Sequence, residues 1–222
     1  MKKTPHKLLS DKDLSQTQIY ITMQTYNRFA KQYADKWEWN SKTIKEIEKY
    51  NIKPFIKHAR KNGNVLIVGC QSGRDYSLLT KKGFSCIGIG FAYGLLVEAV
   101  KRVPNGLFLH SNLQSLPFIP ESFDAVYADA LTYVPKKNIR EILKDFHIFL
   151  KPNGILYLSL KLGKHNVYVT EDIGEKRYMT LYQKKEILNL IKATGFKIVW
   201  SETSTHTDPF LPKWFSLIAK KQ

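Results

Sequence analysis

Between an apolar run and a helix-like stretch the chain reads Gly69-Cys70-Gln71-Ser72-Gly73. Glycines at such a junction let the backbone turn tightly and let a ligand approach main-chain N–H groups at a helix N-terminus. Asp75 lies in the first helical turn after the loop. It is there either as a carboxylate favoured by the helix dipole or as a ligand-binding group. Asp129 and Tyr133 follow a later strand-like run. A carboxylate and a phenol in that place suit proton transfer from an acceptor, and the carboxylate also suits a ligand's ammonium; a loop cap is the alternative for Asp129. Cys70 has no histidine near it in sequence and reads as a small buried filler rather than a nucleophile. A dinucleotide fingerprint would need glycine at 69, 71 and 74. The chain has Gln71 and Arg74, so nicotinamide or flavin chemistry is a poor fit. The 6 histidines show no metal-ligand spacing, and Cys70 and Cys86 alone cannot build a four-ligand zinc site.

The elements that must position these residues can be read from periodicity. Tyr26, Phe29, Ala30, Tyr33 and Trp37 recur at spacings of three and four, which places them on one helix face. A second helical stretch runs from Ser41, its expected N-cap, to Arg60, with Pro54 expected to interrupt it. Then the pattern changes. The continuous apolar run Asn64–Val68 is how a strand buried on both faces of a parallel sheet reads. Further strands are expected at 86–89, 107–110, 123–127, 155–160, 196–201 and 214–219. Helices are expected between them to Lys82 and at 93–102, 138–150 and 183–194. Alternation at this spacing predicts an α/β, Rossmann-like three-layer sandwich: a seven-stranded, mostly parallel sheet with an antiparallel last strand, plus N-terminal helices. Residues 1–22 are polar without steady periodicity and are expected to be a flexible arm. Residues 23–222 then form one domain, a helical cap at 23–62 and an α/β core at 63–222. Ligands of such sheets bind at the carboxyl ends of the strands.

The chain has 222 residues, 35 Lys and Arg against 19 Asp and Glu, and a formal charge of +16. Its 43% hydrophobic content excludes a wholly disordered chain. No apolar run approaches the ~20 residues of a membrane helix, and the lysine-bearing N-terminus has no apolar signal segment, so a reducing cytoplasm is the expected location and membrane insertion is not expected. The basic excess is spread along the chain and is almost entirely lysine, with 6 arginines. It reads as a solvated basic surface or as affinity for tRNA or another polyanion. His165, Tyr168, Tyr178 and Tyr182 after the fifth strand, and His206 and Asp208 between the last two, are read as solvated loop residues or as acceptor determinants. Tyr26, Tyr33, Trp37 and Trp39 are read as a packed helix that can also act as a lid.

Taken in order, these segments resemble class I S-adenosylmethionine-dependent methyltransferases over roughly Tyr26 to Lys220. Val65–Asp75 is similar to the family's first motif. Gly88–Ala92 is similar to the second-strand motif, Asn112–Phe118 to the stretch after strand three, Ser122–Val126 to the fourth-strand motif, Phe149–Gly154 to the turn before strand five, and Tyr26–Tyr33 to the helix that lids the site. The resemblance implies S-adenosyl-L-methionine as cofactor and methyl transfer as the reaction. It implies cofactor contacts from Gly69, Cys70, Gln71, Gly73, Asp75, Gly90, Phe91, Asn112, Leu113 and Asp129, with Asp129 and Tyr133 as catalytic candidates. Four positions depart from the pattern. Gly90 stands where the family has the ribose carboxylate, Asn112 and Ile67 stand where it has Asp, and Gln71 stands where it has glycine. Three readings follow: a methyltransferase of RNA or of a small molecule, a methyltransferase fold kept for binding or scaffolding, or a fold that holds a different small ligand.

Overall fold

In the computed structural model the described residues are 11–113, 116–129, 131–164, 167–170, 176–204 and 213–222. The chain opens with α1 (Asp11–Arg28), α2 (Ala30–Tyr33), a π-helical turn (Ala34–Glu38), α3 (Ser41–Ile47), a second π turn (Glu48–Ile52) and α4 (Lys53–His58). Alternation follows: β1 (Asn64–Val68), α5 (Arg74–Thr80), β2 (Ser85–Gly90), α6 (Tyr93–Arg102), β3 (Phe108–His110) and β4 (Phe123–Ala128). After a 3₁₀ turn (Leu131–Tyr133) come α7 (Lys136–Phe149), β5 (Leu150–Lys161), β6 (Val167–Thr170), β7 (Lys176–Met179), α8 (Lys184–Ala193), β8 (Phe196–Thr203) and β9 (Trp214–Lys221).

Seven strands pair in the order β3-β2-β1-β4-β5-β9-β8. The first four pairings are parallel, and β9 runs antiparallel to both β5 and β8. The expected mostly parallel sheet with an antiparallel last strand is therefore what forms. Strand geometry sends successive side chains to opposite faces. Leu66 and Val68 pack into the layer that holds Ile139, Ile142, Leu143 and Phe146 of α7. Val65 and Ile67 pack into the opposite layer with Ile52, Phe55 and Leu79. Ile67 is thus a core residue on the face covered by the helical cap. Strand order reverses at β1, between β2 and β4, so the loop after β1 opens at the crevice where ligands of such sheets bind.

Local chemistry corrects several expectations. Residues 11–22 are not an arm but the first part of α1, which runs to Arg28. The helix is held by tertiary contacts rather than by an apolar stripe, for example the Thr22 hydroxyl that accepts the Tyr178 amide at 3.0 Å. The N-cap of α3 is Asn40, not Ser41: its Oδ1 accepts the Thr43 amide at 2.9 Å. Pro54 does not end the helix. It has no N–H to give the Tyr50 carbonyl, and the π turn just before it absorbs the lost bond, so α4 resumes at Lys53. The other π turn adds a residue to the helical repeat after α2. It turns Glu38 inward, to 2% exposure, and leaves Trp37 at the surface at 39%. β6 and β7 form an antiparallel hairpin where a polar loop was expected. Tyr178 and Tyr182 are buried, not solvated. The strand holding Tyr168 is described but its side chain is not, and His165, His206 and Asp208 lie outside the described residues.

One carboxylate ties the start of the core together. Asp124 of β4 accepts the Asn64 amide at 2.8 Å, Arg60 at 3.2 Å and Lys151 at 3.0 Å. Burial works against its charge, but these three donors prevail and lower its pKa. Asp124→Ala is expected to cost about 2 kcal/mol of unfolding free energy at neutral pH in urea titration. A carboxylate with a depressed folded pKa stabilises above about pH 4 and loses that contribution as the pH falls. The difference between wild type and variant should therefore shrink in acid.

Candidate active site

The loop after β1 is shaped by three left-handed residues, Gly69 (φ 74°), Gln71 (φ 50°) and Gly73 (φ 87°). Such angles suit glycine, and Gln71 holds one against its Cβ. The loop's amides are largely spent inside the protein. Gly69 and Cys70 both donate to the Ile89 carbonyl at 2.9 Å, and Gly73 donates to the Cys70 carbonyl at 2.9 Å. Ser72 donates its amide to Glu38 at 2.9 Å and its hydroxyl to the same oxygen. Trp39 closes the clamp, its Nε1 donating to the Ser72 hydroxyl at 2.9 Å. The π turn that buries Glu38 therefore builds the loop from outside.

Behind the loop lies a buried ionic cluster. Arg74 donates to Asp75 through two bonds, at 2.7 and 3.0 Å, and to Asp129 at 3.4 Å. Burial works against its charge, yet Asp75, Glu38 and Asp129 raise its pKa above the usual guanidinium value. One guanidinium cannot neutralise three buried carboxylates, so the cluster retains a proton. Burial first, then Asp75, push Asp129 up to about 7 against the pull of Arg74. Glu38 is raised too, again mainly by burial. Asp129 Oδ1 and Gln71 Oε1 are buried acceptors without a hydrogen-bond partner among the described residues. Arg74 and Glu38 had no signal in the sequence, because the partners that define them come from distant segments.

Two adjoining cavities open beside this loop. The larger encloses about 560 Å³ of empty space, part of it open to solvent, against Gly69, Gly90, Phe91, Asn112, Leu113 and Tyr133, with Ile19 of α1 above it. The smaller, about 200 Å³, is lined by Gly69, Gln71, Gly90, Phe91, Ala92 and Leu95. Seven of the sequence-derived site residues thus meet at these two cavities. Cys70, Gly73, Asp75 and Asp129 line neither. Cys70 is 2% exposed, and burial drives its thiol pKa upward, which fits the filler reading.

Tyr133 sits at the polar end of the larger cavity. Its oxygen accepts from the Tyr26 hydroxyl at 2.5 Å and from Arg177 Nη1 at 3.3 Å; Arg177 also donates to Tyr26 at 2.6 Å. Tyr26 is fully buried and stands edge-on to Tyr33, Phe91 and Tyr133. Of the residues read as a lid, none lines either cavity; α1 contributes Ile19 to the larger one, and Tyr26 packs against Phe91 and Tyr133, which line it. Arg177, on β7, was invisible in the sequence because its hairpin was not foreseen.

The retained proton has a measurable sign. Asp129 ionises near pH 4 in the unfolded chain and about 7 in the folded one, so stability falls as pH rises through that interval, by up to about 1.4 kcal/mol per unit. Asp129→Asn should melt higher relative to wild type at pH 8 than at pH 5. Equal differences at the two pH values would remove this assignment.

Comparison with known proteins agrees with this geometry. Residues 65–154 match the family model of a methyltransferase domain. A sterol 24-C-methyltransferase of Gibberella zeae is 26% identical over 182 residues, covering 74% of this chain; the chain spans 45% of that relative's length. An S-adenosylmethionine-dependent methyltransferase structure from Methanosarcina mazei superposes with a TM-score of 0.69 at 22% identity, covering 78% of this chain and 97% of that one. The 1,6-didemethyltoxoflavin-N1-methyltransferase of Burkholderia thailandensis, solved with 1,6-didemethyltoxoflavin and S-adenosylhomocysteine, gives 0.70 at 15% identity, covering 99% of this chain and 93% of that one. Over residues 65–154 the α/β core is thus similar to a methyltransferase domain, and its sheet order and overall fold are those of S-adenosylmethionine-dependent methyltransferase structures.

Proposed function

We propose that the protein transfers a methyl group from S-adenosylmethionine to a small acceptor with an apolar body. The observation that carries this reading is the pair of cavities at the carboxyl ends of β1 and β2, beside a left-handed loop. The residues present fit the cofactor. Gln71 Oε1 and Asp129 Oδ1 are unfilled acceptors, and S-adenosylmethionine brings the donors they lack, two ribose hydroxyls and an ammonium. Phe91 and Leu113 offer apolar surface to its base, and Asn112 an amide that both donates and accepts. When bound, the cofactor supplies a methyl group on a sulfonium, which an acceptor attacks in line.

The chain's own task is then to position the acceptor and keep water out. Tyr26 and Phe91 pack at the wall of the cavity, and Ile19 covers it. Tyr133 is the polar group best placed to meet the acceptor. Its oxygen already accepts from Tyr26 and Arg177, so its own proton is directed elsewhere, with the cavity on its open side. If the acceptor carries a dissociable proton, the Tyr133 hydroxyl is the group proposed to hydrogen-bond the atom that bears it. Asp129 faces Arg74 instead, which favours a role in holding the loop or the cofactor's ammonium over one as base.

The cavity favours a small acceptor over RNA. Its lining is mainly apolar, with Ile89, Val134, Pro135 and Ile142 among it. Two of the enzymes to which this chain is similar are named for a sterol and for didemethyltoxoflavin. No feature of the site favours a binding-only protein.

Calorimetric titration with S-adenosylmethionine and S-adenosylhomocysteine is the first test. Micromolar binding is expected, and no heat up to millimolar ligand would reject the reading. Total tRNA at low and high salt is the second arm. Tight binding that weakens steeply with salt would move the acceptor to RNA. Once an acceptor is known, Tyr133→Phe should lower turnover about 10- to 100-fold with cofactor affinity unchanged. Full turnover in that variant would remove Tyr133 from the chemistry.

A further inference from the structure

The smaller cavity lies in the corner between the ends of β1 and β2, and its polar chemistry is nearly exhausted. The amides of Gly69 and Cys70 are bound to Ile89, the Gly90 carbonyl accepts the Ser111 amide at 3.1 Å, and the Phe91 carbonyl meets His110 Nε2 at 3.1 Å. Phe91, Ala92 and Leu95 supply apolar surface. Gly90 supplies no side chain, and a Cβ built there would stand 3.0 Å from Leu96 Cδ2, so a larger residue would require that leucine to shift. Gln71 provides the one polar side chain lining this corner.

Gln71 is costly as it stands. It occupies a left-handed backbone conformation that glycine would adopt freely, and its amide oxygen is buried without a partner among the described residues. Both costs vanish if residue 71 is glycine. A side chain kept under two penalties, in the corner where position 90 offers nothing, points to a ligand group that satisfies it.

We propose that the Gln71 amide recognises the sugar hydroxyls of the bound nucleoside, from the opposite wall to the carboxylate that Gly90 replaces. This rests on the function proposed above and specifies one of its contacts. The amide accepts from a hydroxyl without bringing a net charge into an otherwise apolar corner.

The test uses the full chain, calorimetry and two probes: S-adenosylhomocysteine, and 5′-methylthioadenosine, which has the same sugar but no amino-acid tail. Gln71→Gly removes the side chain and relaxes the loop. It should melt at or above the wild-type temperature while binding both probes roughly 5- to 10-fold more weakly, the loss of one hydrogen bond. Gln71→Asn keeps an amide and tolerates the left-handed backbone, and it should recover part of that loss. Binding by Gln71→Gly as tight as wild type or tighter would show a plug and overturn the inference. Loss confined to S-adenosylhomocysteine would assign Gln71 to the amino-acid tail and overturn it as well. Wild type that binds neither probe would remove the proposed function itself, and this contact with it.

Discussion

The guanidinium of Arg74 is the group on which the site depends. It stands at the start of α5, pairs with Asp75 and Asp129, and feels the charge of Glu38. Those three carboxylates arrive from the helical cap, from the helix itself and from the end of β4. Leaving a buried charge unpaired is far more costly than any single apolar contact, so this cluster fixes where the segments meet. Glu38 then reaches past it to hold Ser72, and the loop acquires its shape. The same logic explains why the cap belongs to the domain: without the π turn Glu38 would face water, and the Ser72 amide would lose its acceptor.

A second junction, built of aromatic rings, sets the far wall. Tyr26 touches Tyr33, Phe91 and Tyr133 edge-on, and Arg177 lies over the rings of Tyr26 and Tyr33. The chain brings a helix, a hairpin and two loops to one point. Edge-to-face packing and cation–π contacts reward that convergence while leaving one hydroxyl, that of Tyr133, at the cavity. The two junctions flank the same space, one ionic and one aromatic. Between them the lining is mostly apolar, which suits a reaction that excludes water.

The departures at Gly90 and Gln71 read differently in the structure than as isolated letters. As letters they remove a carboxylate and add an obstruction. In place, Gln71 and Gly90 line the same small cavity, and Gln71 does so from a left-handed backbone conformation.

The sequence by itself determined the sheet, its alternation with helices, the loop at 69–73 and seven of the residues that line the cavities. The reason is that these signals are local. A strand buried on both faces must be continuously apolar, as Val65–Val68 is, and a helix packed on it must show the stripe that Ile139 to Phe149 show. Pro152, Asn153 and Gly154, read as a turn, instead fall within β5, where Asn153 takes a left-handed φ of 65° and the pairing with β4 shifts register. What only the tertiary structure decided were groups whose partners lie far along the chain. Glu38 is 34 residues from Ser72, Arg74 is 55 from Asp129, and Arg177 is 151 from Tyr26. α1 and the β6–β7 pair belong with them, since the Thr22 hydroxyl of α1 accepts the Tyr178 amide of β7 across 156 residues of chain. A π turn shifts helical phase by a fraction of a turn without any residue type that announces it, and that shift placed Glu38, not Trp37, inside.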